Sequence, residues 1–443
     1  MGWRYIGSLA LTHGPLPPLI ECAALALVAL AVVRRAGRLV FAAAALGGIG
    51  LAGAAYAYIG SVGIAGDPAP HRLWVWIALT GFCAVVTALG WLRARWWRRA
   101  VSLVAVPACA LCAVLLVNLW VGYFPTVGSA WSRLTDPAVP DQADRMTVTE
   151  LQLAHIRPDH GVVLPVTISA AASNFDHRDE LIYLPPAWFA SNPPPKLPTV
   201  MMIGAQLNTP ADWLRAGNAA AIIDGFATAH GGNAPVFVFV DPTGSFDNDT
   251  ECVNGARGNA SLHLTKDVVP YMISNFGVSQ DRAAWGIMGW SMGGTCAVEL
   301  AVRRPEMFSA FVDIAGDLGP NSGSRQQTID RLFGGDADAW ADFDPATVMR
   351  RHGPYRDLSA LFVVPDGGPG RDPLANPEGQ DVAARTLCGL GGSYGIACAV
   401  RSWPGRHDWP FAAQAFAATL PWLAGRIGTP GVPAQPVGGP HDA

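Results

Sequence analysis

The chain has 443 residues, of which 51% are hydrophobic and only 14% charged, against roughly a quarter charged in ordinary soluble domains. Its formal charge of −4 averages two unlike parts: residues 1–125 carry nine arginines and two acids, net +7, and the remainder carries 21 basic and 32 acidic residues, net −11. The acidic second part excludes a nucleic-acid partner, which requires a basic face.

In chain order, four apolar runs come first, at 16–33, 39–60, 73–92 and 100–123. Each is near the roughly 20 residues a helix needs to cross the hydrocarbon of a bilayer, and four in succession do not fit a cleavable leader. They predict an all-α, four-helix transmembrane domain over residues 1–125, with the lipid bilayer as its partner. Arg34, Arg35 and Arg38 lie between runs one and two, and Arg93, Arg95, Arg98 and Arg99 between runs three and four; the middle loop has only Arg72, near Asp67. Positively charged short loops stay in the cytoplasm, so everything after residue 125 is expected outside. Glu21, near the outer end of the first run, is close enough to reach the interface. No ladder of charges crosses the helices, which speaks against a transporter. Cys22, Cys83, Cys109 and Cys112 fall within the runs as small packing groups.

Residues 126–160 read as a polar linker and 427–443 as a disordered Pro/Gly tail. Between them, over 161–426, strand patterns at 162–169, 180–184, 199–203, 236–240, 284–288, 310–314, 361–364 and 397–402 mix with helical patterns at 210–229, 264–275, 292–304, 379–389 and 409–425. Two early strands followed by β-α alternation predict a mostly parallel sheet with helices on both faces.

Gly289-Trp290-Ser291-Met292-Gly293 has the spacing G-x-S-x-G. A buried strand, AAWGIM, precedes it and a helix, GGTCAVELAVRR, follows, so Ser291 sits on the sharp strand-to-helix turn a nucleophile elbow requires. The flanking glycines leave room for a strained backbone there, and the helix N-terminus behind it favours a developing anion. Serine needs a base to become nucleophilic, and on such a sheet the partners follow in the order acid, then histidine. His407, in SWPGRHDWPF between the last strand and the last helix, fits; His352 comes too early and His441 lies in the tail. The acid is expected just past the 361–364 strand, where PDGGPGRDP offers Asp366 and Asp372. Asp372, at a helix start, is preferred, with Asp366 left open. Two amides should face the oxyanion: Met292, after the nucleophile, and Ala205, in the turn after the 199–203 strand, with Gln206 also within reach of the site.

Residues 160–425 resemble the Putative esterase branch of the α/β-hydrolases, to which the antigen 85 mycolyltransferases and esterase D belong. The resemblance rests on GIMGWSMGGTCAVELAVRRPEMF, MMIGAQ, GRDP and PGRHDW. It implies a serine carboxylic-ester hydrolase or acyltransferase that works through Ser291, Asp372 and His407 without metal or organic cofactor. Antigen 85 proteins have an acidic residue just before the oxyanion-turn glycine; Ile203 stands there in this chain, which speaks against trehalose as acceptor. The helical anchor is foreign to those secreted enzymes and resembles membrane-tethered esterases of actinobacteria.

Cys252, Cys296, Cys388 and Cys398 fall in the outer part, where disulfides persist. Cys388 can pair with Cys398, Cys252 with either is a rival, and sequence does not choose among the three complete pairings. The run GGDADAWADFDP lacks the glycine and terminal glutamate of a calcium loop and reads as a solvated lid segment. The expected activity is therefore hydrolysis or transfer of acyl esters or lipids at the outer membrane face, with an aminoacyl-lipid ester as a specific version. A non-catalytic envelope protein retaining the fold is the alternative.

Overall fold

The computed structural model describes residues 6–32, 38–63, 69–91, 95–135, 138–367, 376 and 379–438. Two compact units divide the chain, Met1–Pro137 and Ala138–Ala443.

In the first unit, α1 (Leu16–Val32), α2 (Arg38–Val62), α3 (His71–Gly90) and α4 (Trp96–Val121) are followed by the short α5 (Val127–Thr135). Three of these, over Arg38–Ser61, His71–Gly90 and Trp96–Val121, are long and apolar enough to cross a membrane. The first predicted span is shorter: α1 has 17 residues, about 25 Å at 1.5 Å per residue. Small residues bring α2 and α3 together, since a Cβ on Gly48 would overlap the Ala78 carbonyl oxygen and one on Gly81 would stand 3.0 Å from that of Gly47. Close approach through small residues is how helices associate where burial of apolar surface gives no drive. The outward faces are apolar, with Leu39, Leu46, Ile49, Val104 and Val114 exposed. Glu21 of α1 pairs with Arg72 of α3, so the one acid in the apolar runs has a cationic partner. Of the loop arginines used for orientation, Arg34, Arg35 and Arg93 lie outside the described residues.

The second unit is a three-layer α/β domain. Its elements are α6 (Arg145–Leu153), β1 (Val162–Val166), β2 (Glu180–Leu184), β3 (Thr199–Ile203), α7 (Asp212–Arg215), α8 (Ala219–Ala229) and β4 (Val236–Val240). A small hairpin of β5 (Asn254–Gly255) and β6 (Gly258–Asn259) follows, then a helical stretch with a π-wound turn at His263–Val268 that continues as α9 (Val269–Phe276). Next come β7 (Trp285–Trp290), α10 (Met292–Arg303), β8 (Ala310–Ile314), α11 (Arg325–Phe333), α12 (Ala337–Ala341), α13 (Pro345–His352), β9 (Ser359–Pro365), α14 (Gln380–Ser393), β10 (Ala397–Trp403) and α15 (Trp409–Arg426). The eight-stranded sheet has the order β1-β2-β4-β3-β7-β8-β9-β10. From β4 to β10 all neighbours are parallel, and β2 runs antiparallel to both β1 and β4. Strands such as β4, VFVFV, are buried at every position, as a sheet covered on both faces demands.

Three expectations are corrected. The 126–160 stretch is not a plain linker: α5 and α6 lie within it, and α6 is started by Asp144, whose side chain accepts the Thr147 N–H. The 210–229 helix is broken in two, because Asn218 takes a left-handed φ of 51°. The tail packs down at its start: Ile427 and Thr429 are buried, and Pro433 passes so close to Gly425 that a Cβ there would overlap its carbonyl. The Asp-rich run forms α12 and the start of α13, with Asp336 and Asp344 as N-caps; Asn/Asp at such ends satisfy amides the helix leaves open. Phe333 and Phe343 beneath it join Val253 and Leu332 in a small apolar cluster. The four cysteines of this unit form Cys252–Cys296 and Cys388–Cys398. The first ties the loop after β4 to α10. Its sequence separation of 44 removes on the order of 4 kcal/mol of unfolded-chain entropy in the loop-closure model.

Candidate active site

Strand β7 lies between β3 and β8, with Gly289 opposite Ile203 on one side and Asp313 on the other. Ser291 follows the strand at φ 56°, ψ −124° and is the N-cap of α10. L residues avoid that region unless the surroundings impose it. They do so here: the Ser291 N–H donates to the Ile314 carbonyl at 2.8 Å, and its own carbonyl accepts from Gly294 and Thr295. Gly289 and Gly293 are required by space as well, since a Cβ on Gly289 would overlap the Gly293 backbone.

The N-terminal turn of α10 packs on the turn after β3. A Cβ on Gly293 would overlap the Ile203 carbonyl oxygen and stand 2.6 Å from that of Gly204. This contact brings the peptide groups around Met292 and Ala205 to one end of the sheet, and both residues are buried. The β3 turn is held from behind by two donors. Trp213 Nε1 donates to the Ile203 carbonyl at 3.0 Å, and Arg178 Nη2 donates to that of Asn208 at 2.9 Å. Arg178 is in turn clamped on the buried Asp241, just past β4, through three hydrogen bonds of 2.6–2.9 Å. Burial pushes the Asp241 carboxyl up, but the Arg178 guanidinium more than offsets it and holds the group below the usual carboxylate range.

His407 lies between β10 and α15, 8% exposed, with Nε2 3.0 Å from Ser291 Oγ. The hydroxyl is placed to donate to it. Asp408 fixes the start of α15 by accepting the Phe411 N–H. The imidazole packs on Trp290 (centroids 5.6 Å apart), Trp290 on Trp409 (4.6 Å) and Trp409 on Trp213 (5.3 Å). An aromatic chain thus runs from His407 to the residue that braces the β3 turn.

The structure therefore brings Ser291 and His407 together and sets Met292 and Ala205 at the two adjoining turns. Asp372 lies outside the described residues. Asp366 is exposed at the end of β9, its N–H donating to the Trp403 carbonyl at 2.9 Å. Arg178, Asp241, Trp213 and Trp409 are absent from the sequence reading, because no motif marks them.

Several acids are buried around the site. Asp313, opposite Gly289, accepts the Gly316 N–H at 2.7 Å, yet burial lifts its carboxyl to about 7. Glu299 on α10 is raised well above its ordinary value by burial, with Arg303 opposing. Beside the β3 turn, Asp249 is pushed up to about 6 by burial, with Glu251, Arg257 and Gln206 opposing. Glu251 is raised further by burial and by Asp249 and Asp317. Asp317 reaches α10 through its N–H, which donates to Thr295 Oγ1 at 2.9 Å. Metal-type donors converge elsewhere, at His177, Glu180 and His263.

Residues 176–423 match the family described as Putative esterase. An uncharacterized protein of Corynebacterium glutamicum is 32% identical over 273 residues, covering 60% of this chain and 62% of that protein; the chain thus spans less than two thirds of its relative's length. Among solved structures, an S-formylglutathione hydrolase from Agrobacterium tumefaciens is 17% identical, with a TM-score of 0.45 over 60% of this chain and 99% of that one. MPT51 of Mycobacterium tuberculosis is 18% identical, with a TM-score of 0.41 over 59% and 99%.

Proposed function

From a chain that belongs to the Putative esterase family of α/β-hydrolases, we propose a membrane-anchored serine esterase or acyltransferase that acts on carboxylic acyl esters of the cell envelope. The observation that carries the chemistry is the 3.0 Å approach of His407 Nε2 to Ser291 Oγ on a turn held at positive φ. In this reading Ser291 Oγ attacks the ester carbonyl carbon while its proton passes to His407 Nε2. The carbonyl electrons move onto oxygen, and the amides of Met292 and Ala205 receive that charge. Collapse expels the alcohol, which takes the proton from His407 and leaves an acyl-serine. Water, or a hydroxyl of a sugar or lipid, then attacks the acyl carbon with His407 as base. An acid past β9, Asp372 or Asp366, orients the imidazole and stays ionised.

Anchoring is supported by the three long apolar helices and their exposed apolar faces. An outer location for the second unit is supported by the arginine asymmetry and by two disulfides, which persist in oxidising compartments.

A second reading, an aminoacyl-lipid ester, is favoured by Asp249, Glu251 and Asp317, which gather next to the β3 turn and α10. A substrate ammonium entering there would favour their ionised forms.

The test is labelling of intact cells with a membrane-impermeant fluorophosphonate. The wild type should label and Ser291→Ala should not, with ester hydrolysis falling on the order of 10⁴- to 10⁶-fold. Labelling of the variant would remove the nucleophile. Labelling of wild type only after lysis would put the domain inside.

A further inference from the structure

At the far side of β4 and β3 from the nucleophile strand, three side chains converge. Glu180 opens β2; His177 precedes it by three residues; His263 sits on the π-wound turn His263–Val268. His177 Nδ1 and His263 Nε2 both lie 2.9 Å from Glu180 Oε1, and one donor atom from each of the three residues falls within 4.8 Å of the others. The side chains of His263 and Glu180 are fully buried and that of His177 is 6% exposed. Glu180 Oε2 is buried with no hydrogen-bond partner. The outer nitrogens are held: His177 Nε2 faces the Ile168 carbonyl at 2.8 Å, and His263 Nδ1 faces Asp267 Oδ2 at 3.4 Å. Asp267 itself accepts the Ala172 and Ser173 N–H groups.

We propose that His177 Nδ1, His263 Nε2 and the Glu180 carboxylate bind one divalent transition-metal cation, zinc by the character of the donors. Two imidazoles and one carboxylate form a donor set that suits zinc, at ligand distances of about 2.0–2.2 Å. The two outer contacts are those that fix the tautomer of a metal-bound histidine, one to a backbone carbonyl and one to a carboxylate. The orphaned Oε2 gains a partner when the carboxylate binds through both oxygens. The Arg178 carbonyl, 2.9 Å from His177 Nδ1, or a water fills the fourth position. A π turn is rare and recurs where function needs a side chain re-aimed; here it carries both His263 and Asp267.

The competing arrangement replaces the metal by protons. Acceptors face both nitrogens of each ring, so a cluster without metal has to place a proton on all four nitrogens to satisfy them. The ring planes are stacked, with centroids 4.0 Å apart and 27° between them, so two like charges would meet face to face in a buried place. One dication with two neutral rings supplies the same charge to Glu180 without the repulsion. The clip would join the segment before β2 to the helical stretch before α9. Arg178, the next residue after His177, is the donor that holds the Asn208 carbonyl behind the β3 turn.

The experiment uses full-length protein in detergent, purified without chelator and without a histidine tag. Elemental analysis should give about one zinc per chain, and none above background in His263→Ala. Wild type stripped with a chelator should lose thermal stability and regain it with zinc. Cobalt(II) added to stripped wild type should give visible d–d absorption, and none in Glu180→Gln. Should the variants fail to fold, the wild-type arms decide alone. Wild type without stoichiometric metal, without a zinc-dependent shift in Tm and without a cobalt band overturns the proposal in favour of the proton-bridged cluster. None of these readouts depends on esterase activity, so failure of the site and failure of the proposed reaction are separable.

Discussion

Gly293 lies so close beneath Ile203 that a Cβ on it would overlap the Ile203 carbonyl oxygen. Helix α10 and the β3 turn are thereby fixed against each other through bare backbone. Gly293→Ala must separate them, which would displace the amides of Met292 and Ala205 relative to one another. Loss of one oxyanion donor costs roughly 10²- to 10³-fold in kcat, so a fall of that order with little change in KM is expected. Steady-state kinetics on a small chromogenic ester would check it, and wild-type kcat in the variant would detach these turns from catalysis.

The triad acid is the next expectation. Asp372→Asn should lower kcat by about 10⁴-fold, because the imidazole would lose the group that fixes its tautomer. Asp366→Asn, at an exposed position, should cost far less. The reverse ranking would assign the role to Asp366.

Asp313 makes stability depend on pH. Its folded carboxyl, lifted by burial from 3.8 to about 7, holds its proton more tightly than the unfolded one. Its contribution is full below about pH 4 and is lost as pH rises through about 7. Asp313→Asn keeps an oxygen for the Gly316 N–H and has nothing to titrate. Thermal melts should therefore show the variant gaining on wild type between about pH 5 and pH 8, whereas a constant difference in Tm would exclude Asp313 as the cause.

Much of this domain was legible in the sequence, for physical reasons that differ by residue. Strands such as VFVFV at 236–240 and TVMMI at 199–203 are continuous β-branched and apolar runs, and the structure has them with the expected bounds. Ser291 and His407 were legible because the elbow imposes a spacing and the fold an order along the chain. The clamp of Arg178 on Asp241 was not, because it depends on β4 lying between β2 and β3, and a crossover leaves no local pattern. The stack of Trp213, Trp409 and Trp290 was hidden for the same reason. Helix α6 was missed because its nine residues are mostly polar; what starts it is a single capping aspartate.

Topology decides which substrates are reachable. An alkaline phosphatase fusion after residue 426 should be active and a green fluorescent protein fusion there dark, following the charge asymmetry of the short loops. If α1, the shortest of the four apolar helices, does not insert, the three remaining spans still place the second unit on the same side, given cytoplasmic Arg93–Arg99. A bright fluorescent fusion with an inactive phosphatase would put the second unit in the cytosol and remove an outer-face substrate.

The bond between Cys252 and Cys296 encloses Ser291 within a covalent ring. The β5–β6 hairpin, with Gly255 and Ala256 exposed, lies in the same ring. A protease that nicks the hairpin would cut the polypeptide yet release nothing: the piece bearing Ser291 would stay joined to the piece bearing the long apolar helices. On a gel without reductant such a molecule would run as one species, and with reductant as two. An apparent clipping of this protein in cell extracts therefore need not mean that the part carrying Ser291 has been shed.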